Sequence, residues 1–487
     1  MASVRRALVL SISERYLLIA LSLASNILLA RLLTPEEIGL YSVSIALIGI
    51  AQVLREFGIG NYLIQVKTLT DDHIRTAFGF SLVIGASLFV IIYLIAPFAG
   101  SFYNDERVVD TIRISALNFL VLPFCSISLS LLRREMMFKR LVLINLIATI
   151  VGFIVTITLA YRGVGANSMA IGALMTNIAT GIGTWAARGD FRLLLPSFVA
   201  WRELMSFGAR TSAANIITSI SMDINDLAVG RILGFSQVAF ISKAQGLMNL
   251  FHRDIMNAIR NVAYPAFAKA HREKSDVEAQ YIYSVGAITS IAWPFYGFTA
   301  IFSLEVLRLL FGNQWDLAAP LVPWFCLAGA ASAPCSLIIT LLTACERIDL
   351  ATRLDLIVQP VRAMLLVAGV IYFQSMESFA IIFFLTALTT IPLYYHTKHK
   401  AIRNDLHELN RILRKSALVT AMTLTPPIIF VVFSGRDLIQ NETLRLVTLG
   451  TLCLATWVFS ALRTRHPISR DPIFQKILNR ILLKRES

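Results

Sequence analysis

The sequence predicts an all-α polytopic membrane protein of about fourteen transmembrane helices, arranged as two homologous six-helix lobes plus two C-terminal helices. Three observations predict it. The first is composition: 56% of the 487 residues are hydrophobic and only 15% are charged, with mean hydropathy +0.69. A soluble domain carries roughly a quarter charged residues, so this chain cannot cover itself with a polar surface. The second is run length. The apolar stretches are continuous over ~20 residues, the length of a membrane-crossing helix, and lack the ~10-residue alternation of a β-barrel. The third is that the chain repeats itself.

The repeat is clearest at its opening stretch, Leu29-Ala30-Arg31-Leu32-Leu33-Thr34-Pro35-Glu36-Glu37-Ile38-Gly39-Leu40-Tyr41. Thr34-Pro35 ends the first apolar run, because proline restricts the residue before it and cannot continue the ladder. Glu36 and Glu37 then enter the first turn of a second helix, where the dipole favours them. Arg31, Leu33, Ser42, Leu47 and Asn61 recur as Arg231, Leu233, Ser242, Leu247 and Asn261, all at an offset of 200 without a gap. A second echo joins Ala96-Pro97-Phe98-Ala99-Gly100-Ser101-Phe102-Tyr103-Asn104 to Glu305-Val306-Leu307-Arg308-Leu309-Leu310-Phe311-Gly312-Asn313. It falls six spans later, an even number, so the two copies share one orientation. This is the parallel repeat between whose halves transporters place their substrate.

The expected spans lie at about 12–33, 38–62, 76–99, 108–131, 141–161, 166–187, 203–231, 236–262, 280–303, 317–342, 350–373, 377–396, 414–433 and 442–462. The second, seventh and eighth carry charges and are the least apolar. The first is long enough to span and reads as a retained helix, not a cleaved signal. The domains follow: an N-lobe over 1–188, a linker over 189–202, a C-lobe over 203–396, two further spans within 397–463 and a basic tail over 464–487. The linker, Arg188 to Arg202 through Pro196, has the composition of an interfacial amphipathic segment. Most of the 44 Lys and Arg fall at alternate connections, among them Arg5 and Arg6, Arg133 and Arg134, Lys398 and Lys400, and the tail. By the positive-inside rule both termini are cytoplasmic.

The same rule accounts for the net charge of +14. A nucleic-acid site would interleave aromatic stacking groups with the basic residues, and none are so placed, so nucleic acid is not an expected partner. Cys125, Cys326, Cys335, Cys345 and Cys453 lie in apolar runs without CxxC pairing and read as small hydrophobes. His396 and His399 sit in a basic stretch, His396-Thr397-Lys398-His399-Lys400, with no Cys or carboxylate cluster to complete a metal site. It reads as a solvated face. No nucleophile elbow, P-loop or zinc spacing occurs, and the expectation is a protein that is not an enzyme and uses neither cofactor nor metal.

Charges inside spans are costly and face a cavity or a partner. Arg15 lies early in the first span, and Arg55 and Glu56 interrupt the second before Phe57-Gly58-Ile59-Gly60. Arg210, Asp223 and Asp226 are on the seventh, Arg253, Asp254 and Arg260 on the eighth, and Asp355 and Arg362 on the eleventh. Helical spacing sets Ser212, Asn215, Ser219, Asp223 and Asp226 in one stripe, and Ser11, Arg15, Ser22, Ser25 and Asn26 in another. Several arginines around one space suit an anion, since guanidinium matches phosphate oxygens bidentately. Arg15, Arg55, Arg210, Arg253 and Arg260 are therefore the candidate pyrophosphate-binding residues. The alternative reading pairs Arg55 with Glu56 and Arg253 with Asp254, and lets Arg260 snorkel. Asp223 and Asp226 are candidates for coupling to a cation, or else neutralise Arg210 or Arg231. Asp355 and Arg362, two turns apart, read as a structural pair.

The run Ala30 to Tyr41, followed by Arg55-Glu56-Phe57-Gly58-Ile59-Gly60-Asn61-Tyr62-Leu63-Ile64-Gln65, resembles the bacterial polysaccharide-transport flippases. These are the Wzx-like and WzxC-like members of the multidrug/oligosaccharidyl-lipid/polysaccharide exporter superfamily. The resemblance covers nearly the whole chain and implies a function: flipping an undecaprenyl-diphosphate-linked oligosaccharide across the inner membrane for exopolysaccharide, capsule or O-antigen assembly. It implies membrane lipids and a polysaccharide polymerase or export machinery as partners. In related lipid II flippases arginines on the first, second and eighth helices line a cationic cavity, and Arg15, Arg55 and Arg253 occupy those helices here. The sodium-site pattern of some relatives is not recognisable. Two other classes stand beside this one. A drug/cation antiporter of the same superfamily calls for a carboxylate-dominated cavity, whereas these spans lean basic. A membrane glycosyltransferase or polymerase calls for a sizeable external loop with catalytic carboxylates, which this chain does not have.

Overall fold

A computed structural model describes residues 2–56, 58–188, 195–199, 201–433, 442–471 and 474–475, with side chains from residue 17 onward except at 50, 188, 206–218, 254 and 470. Among the described residues the chain is helical and contains no strand. Packing divides it into two units, Met1–Ala239 and Phe240–Ser487.

The first unit holds α1 (Ala2–Leu32), α2 (Pro35–Glu56), α3 (Ile59–Gln65), α4 (Asp71–Tyr103), α5 (Arg107–Ala116), α6 (Asn118–Arg134), α7 (Phe138–Tyr161), α8 (Asn167–Arg188) and α9 (Trp201–Ile232). The break at Thr34-Pro35 stands where the sequence puts it. Thr34 Oγ1 accepts from the Glu37 N–H at 3.3 Å, and Glu37 Oε2 accepts from the Thr34 N–H at 2.8 Å. That reciprocal pair satisfies donors the helix start leaves free. Gly58, at φ 65°, separates α2 from α3 in a conformation that suits glycine. Between α7 and α8 the backbones approach closely. A Cβ on Gly152 would lie 1.7 Å from Thr176 Oγ1, and one on Gly172 would lie 1.7 Å from Thr156 Oγ1. Two small residues a turn apart on each helix make the crossing possible, the usual device where lipid offers no hydrophobic drive.

At the basic end of this unit the arginines cap helices. Arg134 Nη1 donates to the Leu63 and Ile64 carbonyls at 2.7 and 3.2 Å, and Nη2 to that of Lys67 at 3.3 Å. Arg140 donates to the Ala187 carbonyl. These are the orphan acceptors of a helix C-terminus, where a cation also meets the dipole favourably. Arg75 Nε donates to the Leu195 carbonyl at 3.0 Å, and the Ser197 N–H to that of Arg75 at 3.2 Å. The described part of the linker, residues 195–199, is thus extended along α4 and not an amphipathic helix, consistent with the restriction Pro196 places on Leu195. Residues 189–194 lie outside the described residues.

The second unit continues α10 (Phe235–Asn249), which starts in the first, into a π-helical turn (Leu250–Ile255) and α11 (Met256–Arg272). Then come α12 (Val277–Ile301), α13 (Ser303–Phe311), a 3₁₀ segment (Asn313–Leu321), α14 (Val322–Ser332), α15 (Ile338–Ala344), α16 (Ile348–Phe373), α17 (Met376–His399), α18 (Leu406–Phe433) and α19 (Glu442–Arg463). α13 turns by 83° from α12. Of the solvated face expected over His396 to Lys400, His396, His399 and Lys400 are exposed, whereas Lys398 departs from it. The Lys398 side chain has no exposure, because its Nζ pairs with Glu278, donates to Asn404 Oδ1 at 2.8 Å and lies 4.6 Å from the centre of the Tyr281 ring. A buried polar layer also joins α12, α18 and His466. Thr289 Oγ1 donates to Ser416 Oγ at 2.8 Å, and His466 Nε2 lies 3.1 Å from the same oxygen. The Ile468 N–H donates to His466 Nδ1 at 3.3 Å, so the ring proton resides on Nε2 and is given to Ser416. Burial, with Lys415 nearby, pushes His466 down to about 4.

The opposite ends of both units carry one arginine between two carboxylates. Arg107 holds Asp105 and Glu36. Arg308 holds Asp316, through Nε at 2.9 Å and Nη2 at 2.7 Å, and Glu442 through Nη1 at 3.1 Å. The bidentate fork fits a carboxylate and fixes its orientation.

Among the described residues eight helical runs are long and apolar enough to cross a membrane, or up to ten if each bent pair counts once. The fourteen expected exceed this, chiefly where a polar face lowers the hydropathy, as in α9 and in α10 with α11. All five cysteines are free and buried.

Candidate functional site

In the first unit Arg55 ends α2, and its side chain is nine-tenths buried. Nη2 reaches Glu56 Oε1 at 3.3 Å, although the Glu56 side chain is 72% exposed. Nε is buried and has no hydrogen-bond partner among the described residues. Cys125 on α6 lies within its electrostatic reach. The Cys125 thiol donates to the Asn177 carbonyl at 3.2 Å, and Asn177 Nδ2 donates to Asn118 Oδ1 at 2.6 Å. These bonds make a polar layer that joins α6 and α8. That layer went unread in the sequence, although two asparagines inside apolar runs were its signal.

Asp223 and Asp226 share a face of α9, as their spacing requires. Asp223 Oδ2 accepts from Ser219 Oγ at 3.2 Å and lies against Gly49 on α2, 2.2 Å from where a Cβ would stand. Farther along α2, Gly39 lets the carbonyl of Phe235, at the start of α10, come close. Arg231 stacks over the Phe102 ring at 5.1 Å, and Tyr103 Oη donates to the Leu227 carbonyl at 3.2 Å. The side chains of Arg15 and Arg210 lie outside the described residues, as does that of Asp254.

In the second unit Arg253 is exposed and sits on the π-helical turn. Such turns widen a helix by one residue and concentrate at functional sites; nothing in the sequence signalled this one. Arg260 Nη1 donates to Asn257 Oδ1 at 3.3 Å. The Asp355–Arg362 pair is not formed as an ion pair among the described residues. Two turns of helix are roughly 10 Å, and Arg362, leaning toward the N-terminus as helical side chains do, stops one turn short. There Nη2 donates to Gln359 Oε1 at 2.8 Å, and the guanidinium lies 5.3 Å from the centre of the Phe383 ring. The sequence therefore located the charged positions on their helices, and the structure distributes them between two units. Among the described residues no group of His, Cys, Asp and Glu could hold a metal ion.

Membrane-length helices with arginines and carboxylates set inside them define a multi-pass membrane protein. Its fold is similar to that of a lipid II flippase, MurJ, in an inward closed conformation: TM-score 0.71 at 11% identity, covering 98% of this chain and 99% of that one. It is also similar to an inward-facing multidrug resistance MATE family transporter of the MOP superfamily, with TM-score 0.59 and 15% identity over 81% of this chain and 95% of that one. The chain belongs to the family described as polysaccharide biosynthesis protein, which it matches over residues 28–320. Among its relatives is the lipopolysaccharide biosynthesis protein WzxC of Escherichia coli (strain K12), 24% identical over 341 residues, 70% of this chain and 69% of WzxC. Another is the teichuronic acid biosynthesis protein TuaB of Bacillus subtilis (strain 168), 23% identical over 284 residues, 57% of this chain and 58% of TuaB.

Proposed function

We propose that this protein is a flippase. It moves undecaprenyl-diphosphate-linked oligosaccharide repeat units across the bacterial inner membrane by alternating access, for exopolysaccharide, O-antigen or capsule synthesis. The observation that carries this reading is membership of a polysaccharide biosynthesis family by a chain whose fold is that of a lipid flippase. The succinoglycan biosynthesis transport protein ExoT of Rhizobium meliloti (strain 1021), 21% identical, supports transport over synthesis. In this reading the diphosphate is bound by Arg55 and Arg253, with Arg15, Arg210 and Arg260 assisting, and Asp223 and Asp226 couple a cation. Both termini are cytoplasmic, the lobes are residues 1–188 and 203–396, and a polymerase or export complex receives the product. An arginine nine-tenths buried with an unbonded Nε is what an anion-binding role for Arg55 needs.

The test is translocation of a labelled undecaprenyl-diphosphate oligosaccharide in proteoliposomes, wild type against Arg55→Ala with Arg253→Ala. Flipping by wild type and not by the folded double variant is expected. Equal flipping by the variant removes these two arginines from the site. Extrusion of cationic dyes without lipid flipping replaces the reading with the drug-antiporter one.

A further inference from the structure

Among the described membrane-length runs, Asn313–Ala344 is the most deeply buried, yet its helix is not continuous. α14 gives way to a 3₁₀ turn at Ala333–Cys335, and α15 resumes at Ile338. Pro334 is the cause, since it has no N–H to give to the Ala330 carbonyl four residues back. Trp293 Nε1, on α12, donates to that carbonyl instead, at 2.9 Å. The Pro334 carbonyl accepts from Tyr281 Oη, also on α12, at 2.8 Å and lies 3.3 Å from Tyr395 Oη on α17. Backbone groups freed at membrane depth need such partners. The break also divides the neighbours of the span. On its N-terminal side α14 packs on α12 and α17, with Gly329 so close to α12 that a Cβ there would lie 2.6 Å from the Tyr296 ring. On its C-terminal side α15 packs mainly on α11. α11 itself begins at a second break, the π-helical turn Leu250–Ile255. The two breaks meet, because Ser336 Oγ lies 3.9 Å from Sδ of Met256, the first residue of α11.

A 3₁₀ stretch in mid-helix often marks a functional hinge, and π-turns concentrate at functional sites. Here donors from α12 and α17 hold the carbonyls at the break, so the helical ladder does not tie α15 to α14 there. We propose that the paired breaks form a hinge within the second unit, about which α11 and α15 turn as one segment against α12, α14 and α17. Hinge motion is absorbed at a few element-terminal residues, here those at 250–255 and 333–337. Arg253 stands on the hinge and Arg260 on the moving segment, so the turn changes the distance between them. The consequence for transport rests on the flippase reading: both arginines grip the diphosphate in one position of α11 and release it in the other. The hinge itself rests on the backbone geometry alone.

The test is hydrogen–deuterium exchange of the full chain in lipid nanodiscs, read on peptides from residues 256–272, 322–332 and 333–344. In wild type the first and third exchange faster than the second. Pro334→Ala restores a backbone donor to the Ala330 carbonyl. It slows residues 333–344 and 256–272 together by roughly two- to tenfold, the worth of one backbone hydrogen bond. Trp293→Phe removes the substitute donor and speeds both stretches, and it keeps the test decisive if Pro334→Ala does not fold. Slowing of 333–344 with 256–272 unchanged overturns the joint movement, and equal exchange of all three stretches in wild type overturns the hinge. Flipping of undecaprenyl-diphosphate oligosaccharide in proteoliposomes is measured alongside, and Pro334→Ala lowers its rate several-fold. Flipping at the wild-type rate by a variant whose exchange is slowed removes the hinge from transport. If the exchange pattern holds and wild type flips no lipid, the hinge stands and the flippase reading falls. If wild type flips lipid and the exchange pattern fails, the flippase reading stands and the hinge falls.

Discussion

The two units solve the same problem differently at their basic ends. In the first, Arg134 and Arg140 place their guanidiniums on the last carbonyls of neighbouring helices, at the protein surface. In the second, Lys398 is withdrawn from solvent altogether and neutralised by Glu278. At the opposite ends the units agree, each with one arginine between two carboxylates. The difference teaches that a cation counted toward topology has no fixed structural role. One orients its helix and caps another; another does so and becomes part of the interior.

The comparison breaks most visibly at Glu278. Glu278→Ala leaves Lys398 buried without its carboxylate, and removing one partner of a buried pair costs about 3–5 kcal/mol. Arg134→Ala removes three hydrogen bonds from a charged donor at a partly solvated site and costs about 1.5–3 kcal/mol. Thermal unfolding of both variants in detergent measures the contrast, and equal losses would mean that the two ends are energetically alike. Next is His466, pushed down to about 4 by burial. A histidine whose folded pKa is lowered stabilises fully above its unfolded value near 6.5. That stability declines as the pH falls toward 4, by about 1.4 kcal/mol per pH unit. Melting temperature should therefore drop between pH 7 and 5 in wild type and much less in His466→Gln. A parallel response in the two would place the pH dependence elsewhere. The smallest effect is expected where the units agree. The Arg107 side chain is 57% exposed and that of Arg308 is 31% exposed, so Arg107→Gln costs less than about 1 kcal/mol and Arg308→Gln somewhat more. The hydrogen bond from Arg107 holds the Asp105 carboxyl below its usual range. That contribution is present above about pH 4 and lost as the pH falls through the depressed value, and Arg107→Gln should remove this acid-side loss from the melting profile.

The helical architecture was legible because apolar run length and the Thr34-Pro35 break are local properties. So was the placement of Arg55, Asp223, Arg253 and Arg260 on helices, since any charge in such a run stands out. Partners were not legible. Arg362 is joined to Gln359 and not Asp355 because reach and side-chain direction, not charge, decide between neighbours one and two turns away. Lys398 was misread because its carboxylate lies 120 residues earlier. The π-helical turn at Leu250–Ile255 follows from how the surrounding helices pack, which no window of sequence contains.

The burial of Lys398 also orders the assembly of the protein. While α17 is being inserted, a lysine at its end holds that end in water and helps set the direction of threading. In the finished protein the same ammonium has shed its water and touches Glu278, a residue synthesised long before it. Closing the Lys398–Glu278 pair is therefore a dehydrating step that needs both helix ends in place.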